Sequence, residues 1–455
     1  MPGKEKAVIV VALAVAGLAA GYVWLLRYTD EQRERVLDSI LASHEAPNDS
    51  GLVSPATTAS PVSASPSQTP VPAEPNLEEI GKMLWEDRTA PLSLLNVPCF
   101  AEEDTTGEMA QYLAKFHAKY DAKISAVREW VLRDELTCLD IPPRAPDGPR
   151  RRLSRVQAGV DCLRRDCDAA LAEHNHAQAV QDMLAMLKLE RMVAEAGALE
   201  HIVFLFTVPN GIGTPLKHLM HRDALSEQEL GVLAEALAAL ADPALLTQAL
   251  ERERLWQAQG LSGWPERSLA DSVKLAGWWV GGRSWLWTRP PCRPLFNHDV
   301  TTFMGYMDKI VPLAQPPFWE HLETLSRLGQ ELYALPPIYS ASQRLGTLCG
   351  SIGMFYRVAA KIEVLSLALR TAQFQRVHGR VPTSLEELHQ AYPTLSITDL
   401  YTGNPYSFSP TPEGACEFRS AGLDGELDTE DDLASAWPTP SPCTEPLPSF
   451  SEIVL

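Results

Sequence analysis

The histidines are the residues of this sequence whose types and spacing come nearest to a catalytic or metal-binding pattern. His218 and His221 are three residues apart, so a helix would place both imidazoles on one face, close to Asp223. Two such ligands do not complete the coordination shell of a metal such as zinc, and no HExxH pattern accompanies them. His174 and His176 are two residues apart and point to different sides of a helix. The histidines alone therefore do not predict a metal site.

Short motifs for phosphate binding, dinucleotide binding or acyl transfer do not occur in the sequence. It contains no GxxxxGK(S/T) loop, no GxGxxG fingerprint and no GxSxG elbow. Carboxylates brought together from distant positions leave little local trace, so a hydrolase site assembled in that way stays open. We assign no catalytic residue, and the motif content favours a non-enzymatic role.

Tryptophan is concentrated in one segment, because six of the eleven tryptophans lie between positions 256 and 287. Four of them surround a glycine-rich stretch: Trp278, Trp279, Trp285 and Trp287. Indole rings with nearby arginines can form a binding surface that stacks on sugars or on the prolines of a partner. Aromatic packing in an irregular segment, or contact with a membrane surface, explains the same composition.

The eight cysteines include no C-x-x-C pair, so zinc-ribbon and thioredoxin-like sites have no support. An even number of cysteines outside the cytoplasm permits disulfides. We favour a pair between Cys416 and Cys443, because both belong to a small C-terminal module that needs a covalent link.

The overall charge is acidic, since 39 basic and 58 acidic residues give a formal net charge of −19. Such a charge argues against nucleic-acid phosphates and anionic lipid headgroups as partners.

An uncharged apolar run of twenty residues, Ala7–Leu26, lies near the N-terminus. As a helix it would rise about 30 Å, the hydrocarbon thickness of a bilayer. Lys4 and Lys6 precede it, as in an export signal, but cleavage near Ala14 would leave ten further apolar residues exposed. The run therefore predicts an uncleaved signal-anchor, with the bilayer as a partner. We expect a single-pass protein of the inner membrane whose bulk is periplasmic.

A segment rich in Pro, Ser, Thr and Ala follows a short polar helix. It lacks the large apolar side chains that offset the entropy of ordering, so we expect disorder. Its expected role is that of a spacer that holds the folded domains away from the bilayer. The predicted organisation is a signal-anchor at 1–28, a juxtamembrane helix at 29–44, a disordered linker at 45–75, a helical domain at 76–340, a small α+β module at 341–435 and a Pro-rich tail at 436–455.

The body reads as successive antiparallel helices on short loops. A helix is predicted from about Thr106 to Arg133, because apolar residues recur there at steps of three and four. Further helical sequence continues from about Arg150 to Phe206. Ser226 and Glu229 form a capping-box pattern, and Asp242 precedes a proline at the first helical position. The fold class is therefore mainly α.

The C-terminal module begins with a long helix predicted from Gln343 to Val377, which Gly379 ends. Ser384 caps a short helix, and turn residues then lead into two strands. The strands are predicted at Tyr406–Phe408 and Cys416–Arg419. A two-stranded hairpin is marginal alone, so we expect it to lie against the preceding helix.

This order of motifs resembles the soluble domain of the major pseudopilins of type II secretion systems. The matching segments are Gly379–Pro382, Ser384–Leu388, Asp399 with Gly403–Tyr406, and Ser420–Gly425 continuing to Asp431 and Asp432. It is also similar to the tail of membrane-anchored bacterial proteins that carry a long helical region in front.

The resemblance implies a calcium site in the final acidic loop. The ligands that it implies are Asp424, Asp428, Asp431 and Asp432. Hard oxygen ligands on a turn suit calcium, and a solvated acidic loop is the alternative. Glu426 and Leu427 stand where the family has two glycines, and the N-terminus lacks the pilin arrangement, so a pilus subunit is not predicted.

These observations predict a membrane-anchored extracytoplasmic interaction or assembly protein of the bacterial envelope, related to secretion or pilus-like systems. Its expected partner is another envelope protein. The alternative is an extracytoplasmic hydrolase or a carbohydrate- or peptide-binding protein that uses the Trp-rich segment.

Overall fold

The computed structural model of the chain is mainly helical, with one small sheet near the C-terminus, which confirms the predicted fold class at this level. The residues that it describes are 25, 27–42, 108–133, 148–195, 212–261, 293–335, 340–410, 415–422, 425–429 and 432–437.

A helical segment at 27–42 precedes the helices with defined bounds. These are α1 Glu108–Leu132, α2 Gly148–Ala172, α3 His176–Glu195, α4 Gly213–His221, α5 Glu227–Leu240, α6 Pro243–Leu261, α7 Arg293–Leu313, α8 Trp319–Ala334, α9 Ser340–His378 and α10 Leu385–Ala391. The strands are β1 Ser407–Pro410, β2 Cys416–Ser420 and β3 Leu433–Trp437.

The chain divides into two compact units that interleave along the sequence. The described part of unit 1 is the segment 27–42, α6 from Glu251, α7, α8 from Thr324 and α9 up to Gly350. The described part of unit 2 is α1 to α5, α6 up to Leu250, the stretch Ala314–Glu323 and the chain from Ser351 onward. The boundaries predicted at 76–340 and 341–435 stay predictions.

In unit 2, helices α1, α2 and α3 pack against one another, and α3 also packs against α5. The predicted apolar stripe of α1 is buried over its described side chains: Tyr120, Ile124, Val127 and Val131. The helix predicted at Thr106–Arg133 is thereby confirmed. The helical sequence after Arg150 is interrupted at Glu173–Asn175, where His174 takes a φ of +58°.

The predicted helix starts are also confirmed. Ser226 accepts a hydrogen bond from the Glu229 backbone N–H, and the Glu229 side chain bonds back to the Ser226 N–H. The Asp242 side chain accepts from the Ala244 N–H at 2.9 Å, and Pro243 opens α6. These bonds satisfy backbone donors that have no partner within the first turn of a helix.

Helix α9 carries the core of the C-terminal part. Its predicted face is buried: Ile352, Phe355, Ala359, Ile362, Leu365, Leu369 and Ala372. The helix ends at His378, and Gly379 takes a φ of +69° while its N–H donates to the Gln375 carbonyl at 2.7 Å. Glycine adopts this left-handed conformation without steric cost, so the predicted stop is confirmed.

The sheet has three antiparallel strands in the order β1-β2-β3, one more than the predicted hairpin. Phe408 pairs with Phe418 between β1 and β2, and Phe418 pairs with Ser435 between β2 and β3. The third strand was missed because its sequence, LASAW, is short and follows an acidic turn-rich loop. Pairing with β2 supplies the tertiary contacts that β3 needs.

The predicted membrane span Ala7–Leu26 lies outside the described residues except for Leu25, and so does the linker 45–75. Most of the tail 436–455 is outside them as well. Among the described residues, one stretch, Glu227–Leu255, is long and apolar enough to cross a membrane by length and composition. Half of its 18 most apolar consecutive residues are buried, and Leu230, Leu233 and Leu237 belong to the core. A buried core helix passes the same test, so this is weak evidence for a span.

Candidate functional site

A buried cluster of charges joins the three helices α1, α2 and α3. Arg128 lies on α1, Asp166 on α2 and Asp182 on α3, and their exposed fractions are 8%, 0% and 0%. The Arg128 Nε donates to Asp182 Oδ1 at 2.6 Å, and its Nη2 donates to Asp166 Oδ2. Gln178 Nε2 donates to the same Asp166 oxygen at 2.8 Å. One guanidinium therefore bridges two carboxyl groups from different helices.

The protonation of Asp182 determines the net charge of this cluster. Burial raises the pKa of Asp182 to about 8, and the nearby Asp166 adds to this rise while Arg128 opposes it. At neutral pH Asp182 is therefore mostly protonated, which leaves one positive and one negative charge in the cluster. An electroneutral, hydrogen-bonded cluster is the form in which buried charges cost least.

The chemistry available to this cluster is limited by burial. Both carboxyl groups are shielded from solvent, and the guanidinium is used by the pairs that it makes inside the bundle. A substrate would have to separate the helices to reach them. The arrangement therefore fits a structural element that fixes the three helices in register.

The histidines near the bundle give no sign of a metal site. His218 on α4 is 8% exposed, and burial lowers its pKa to about 4, with Arg222 and neighbouring histidines also opposing its protonation. The rings of His174 and His176 meet edge to face at 6.4 Å between centroids. Among the described residues, no group of three or more His, Cys, Asp or Glu side chains is arranged to hold a metal ion.

The acidic loop that the resemblance implies as a calcium site is described in part. Asp424 and Asp431 lie outside the described residues. Asp428 Oδ1 pairs with Arg419 Nη1 at 2.7 Å, and Asp432 Oδ2 accepts from the Asp428 N–H at 2.8 Å. A calcium ion would compete with Arg419 for Asp428. Asp428 and Asp432 could therefore bind the ion only after the ion pair between Asp428 and Arg419 is broken. Calcium binding stays a prediction.

Asp399 organises the C-terminal module. Its Oδ1 accepts from the Tyr401 N–H at 2.9 Å, and its Oδ2 accepts from Ser420 Oγ at 2.9 Å and from the Ala421 N–H at 3.2 Å. The carboxyl group thus closes the turn before Gly403 and ties it to the end of β2. The turn itself was predicted, but the bond to β2 joins residues 21 and 22 positions apart and has no local signal.

A second buried carboxyl group, Glu363 on α9, accepts a hydrogen bond from the Tyr406 hydroxyl. Burial raises the pKa of Glu363 to about 8; the Tyr406 hydrogen bond lowers it, and the negative charge of Asp399 raises it. Sequence reasoning missed this residue. The available signal was its spacing, because the apolar residues Ala359 and Leu367 lie four positions to either side on the same helical face.

The remaining predicted residues receive no test from the structure. The four tryptophans Trp278, Trp279, Trp285 and Trp287 lie outside the described residues. Cys416 is buried at the start of β2, and burial raises the pKa of its thiol to about 11. Because Cys443 is not among the described residues, its pairing with Cys416 stays a prediction.

Unit 1 contains a buried polar network that sequence reasoning also missed. Arg33 in the segment 27–42 is 1% exposed, and its Nη1 donates to Asn297 Oδ1 on α7 at 3.1 Å. Asn297 Nδ2 donates to Asp30 Oδ1 at 2.6 Å and to Thr29 Oγ1 at 3.3 Å. The predicted juxtamembrane helix is therefore part of a folded unit.

Comparison of the chain with protein-family models, curated proteins and solved structures found no match in any of the three. The functional interpretation therefore rests on the residues and geometry described above.

Proposed function

We propose that the chain is a membrane-anchored extracytoplasmic interaction or assembly protein of the bacterial cell envelope. The observation that carries the proposal is the organisation of the C-terminal module. The residues that carry the pseudopilin resemblance hold this module together: Ser384 caps α10, Gly403 turns the chain at a φ of +70°, and Asp399 ties the turn to β2. The resemblance thus involves residues with structural roles, which supports a shared module type.

The use of the buried charges gives further support. Arg128 pairs with Asp166 and Asp182 inside the helical bundle, and Glu363 accepts a hydrogen bond from the Tyr406 hydroxyl. Such groups stabilise a rigid body and are not presented to a substrate. The alternative function, a hydrolase or a carbohydrate- or peptide-binding protein, depends on the Trp-rich segment, and no observation in the described part of the chain favours it.

Membrane topology is the first test. Alkaline phosphatase and a green fluorescent protein are fused separately after Pro75, and membranes from both strains are washed with alkaline carbonate. We expect the phosphatase fusion to be active and the green fluorescent protein fusion to be non-fluorescent. We expect both fusions to remain in the membranes after the carbonate wash. A fluorescent fusion in the soluble fraction would contradict the proposal.

Assembly is the second test. The full chain is extracted from native membranes in mild detergent after chemical cross-linking, as wild type, as Asp399→Ala and as Arg191→Met. We expect one envelope protein to be cross-linked in the same ratio to the wild type and to Arg191→Met. We expect Asp399→Ala to lose this cross-linked protein, because the substitution loosens the C-terminal module. Arg191 is a suitable control because its pair with Glu195 is exposed. A wild-type chain that remains uncross-linked would contradict the assembly role.

A further inference from the structure

The helical segment 27–42 is built into unit 1 by both polar and apolar contacts. Arg33, Leu37 and Ile40 are spaced by four and three residues, so they share one helical face, and their exposed fractions are 1%, 1% and 5%. The Arg33–Asn297 bond and the Asn297–Asp30 bond join this face to the first turns of α7. The segment is therefore a core helix of unit 1. A solvated polar spacer would leave this face exposed.

The helical segment 27–42, called the docked helix below, begins close to the apolar run Ala7–Leu26. Thr29 Oγ1 donates to the Leu25 carbonyl at 2.9 Å, as expected for helical residues four apart. At 1.5 Å per residue, Thr29 lies roughly 6 Å along the helix from Leu25, the one described residue of the run. Asn297 Nδ2 lies 3.3 Å from Thr29 Oγ1. Asn297 on α7 is consequently within about 10 Å of Leu25, which belongs to the predicted span.

Exposed apolar side chains surround this point of contact. Leu25, Tyr28 and Leu295 are 41%, 48% and 43% exposed. Tyr28 adjoins Thr29, and Leu295 is two residues before Asn297, so the three lie at the same end of the helix pair. Tyrosine and leucine together suit the boundary between lipid headgroups and acyl chains, where a phenol finds both water and hydrocarbon.

We propose that unit 1 is seated directly on the bilayer, with the surface formed by Leu25, Tyr28 and Leu295 in contact with the lipid interface. This inference rests on the membrane anchor of the proposed function. The contact is apolar and aromatic, so it does not depend on anionic lipid, which suits a chain of net charge −19. The proposal removes the spacer role that we expected of the linker 45–75. Because the linker follows the docked helix in sequence, its length does not set the distance between unit 1 and the membrane.

The test uses the full chain in nanodiscs of zwitterionic phosphatidylcholine that carry a nitroxide quencher on the headgroup. A genetically encoded fluorescent amino acid replaces Leu295 or, as the matched control on the same helix, Lys309. These positions are 14 residues apart, roughly 21 Å along α7. We expect strong quenching at position 295 and weak quenching at position 309. Equal quenching at both positions, or weak quenching at 295, would overturn the proposed orientation.

Two identical insertions of ten Gly/Ser residues distinguish direct seating of unit 1 on the bilayer from attachment through a flexible tether. Placed within the linker, the insertion is expected to leave quenching at position 295 unchanged. Placed between Leu26 and Arg27, it is expected to abolish that quenching, because it separates the docked helix from the span. Loss of quenching with the linker insertion would refute the seating. Failure of the wild type to enter nanodiscs would instead refute the anchor, and with it the proposed function.

Discussion

The Arg128 cluster shows how single residues fix the register of a helical bundle. Each of its three groups would be costly to bury alone, because a protein interior replaces water poorly around a charge. Together they form hydrogen bonds across three helices, and a proton on Asp182 balances the charges. Removal of Arg128 would therefore leave a buried carboxylate without a counter-charge.

Replacement of Arg128 by Met is expected to destabilise the fold by about 3–5 kcal/mol, because it leaves a buried carboxylate without its cation. The measurement is chemical denaturation of the full chain in mild detergent, followed by far-UV circular dichroism. The control is Arg191→Met on α3, where the ion pair with Glu195 is 2.7 Å long and the arginine is 55% exposed. That control is expected to cost about 0–1 kcal/mol. Equal losses for the two variants would show that the buried cluster contributes no more than a surface pair.

At the scale of elements, the turn at Asp399–Pro405 is held against the stretch that begins at Ala314. The Phe318 N–H donates to the Leu400 carbonyl at 3.2 Å, and the Trp319 N–H donates to the Tyr401 carbonyl at 2.8 Å. Gly403 lies so close to Pro317 that a Cβ at this position would stand 3.1 Å from the Pro317 Cβ. Gly403 thus supplies both a left-handed conformation and room for a neighbouring segment.

Two glycine substitutions distinguish these contributions. Gly379 and Gly403 have φ values of +69° and +70°, but a Cβ at Gly379 would meet nothing within 4 Å. Gly379→Ala is expected to cost about 1–2 kcal/mol from the left-handed conformation alone. Gly403→Ala is expected to cost more, because Pro317 must also move. Melting temperatures of the two full-length variants provide the comparison, and a smaller loss for Gly403→Ala would contradict the close contact.

The elements that could be predicted from the sequence are those whose signals are local. The stripe of α1, the capping box at Ser226 and the stop at Gly379 each depend on residues within a few positions of one another. The Arg128 cluster could not be predicted, because its partners lie 38 and 54 residues away in sequence. The contact between Arg33 and Asn297 spans 264 residues and leaves no pattern in either helix. For the same reason, β3 becomes evident only when β2 is in place beside it.

For the whole molecule, the buried acids make stability depend on pH. The carboxyl groups of Asp182 and Glu363 have folded-state pKa values raised to about 8, mainly by burial. In the unfolded chain the pKa of each group returns to about 4, so the folded state holds more protons between pH 4 and 8. This contribution to stability is complete below about pH 4 and is lost as the pH rises towards 8. The loss reaches about 1.4 kcal/mol per pH unit for each group, as an upper limit.

The double variant Asp182→Asn with Glu363→Gln is expected to flatten this decline. The new amide oxygen at position 182 can still accept from Arg128, and the one at position 363 can still accept from Tyr406, so the hydrogen bonds are retained while the titrations are removed. The measurement is the free energy of unfolding of the full chain at intervals from pH 5 to 8.5. Glu387→Gln serves as the control of opposite sign, because the hydrogen bond from Arg380 lowers the pKa of Glu387 to about 2. Its contribution is present above about pH 4.5 and is lost as the pH falls towards 2, so this control should leave the slope between pH 5 and 8 unchanged. A double variant that keeps the wild-type slope would place the titrating groups elsewhere in the chain.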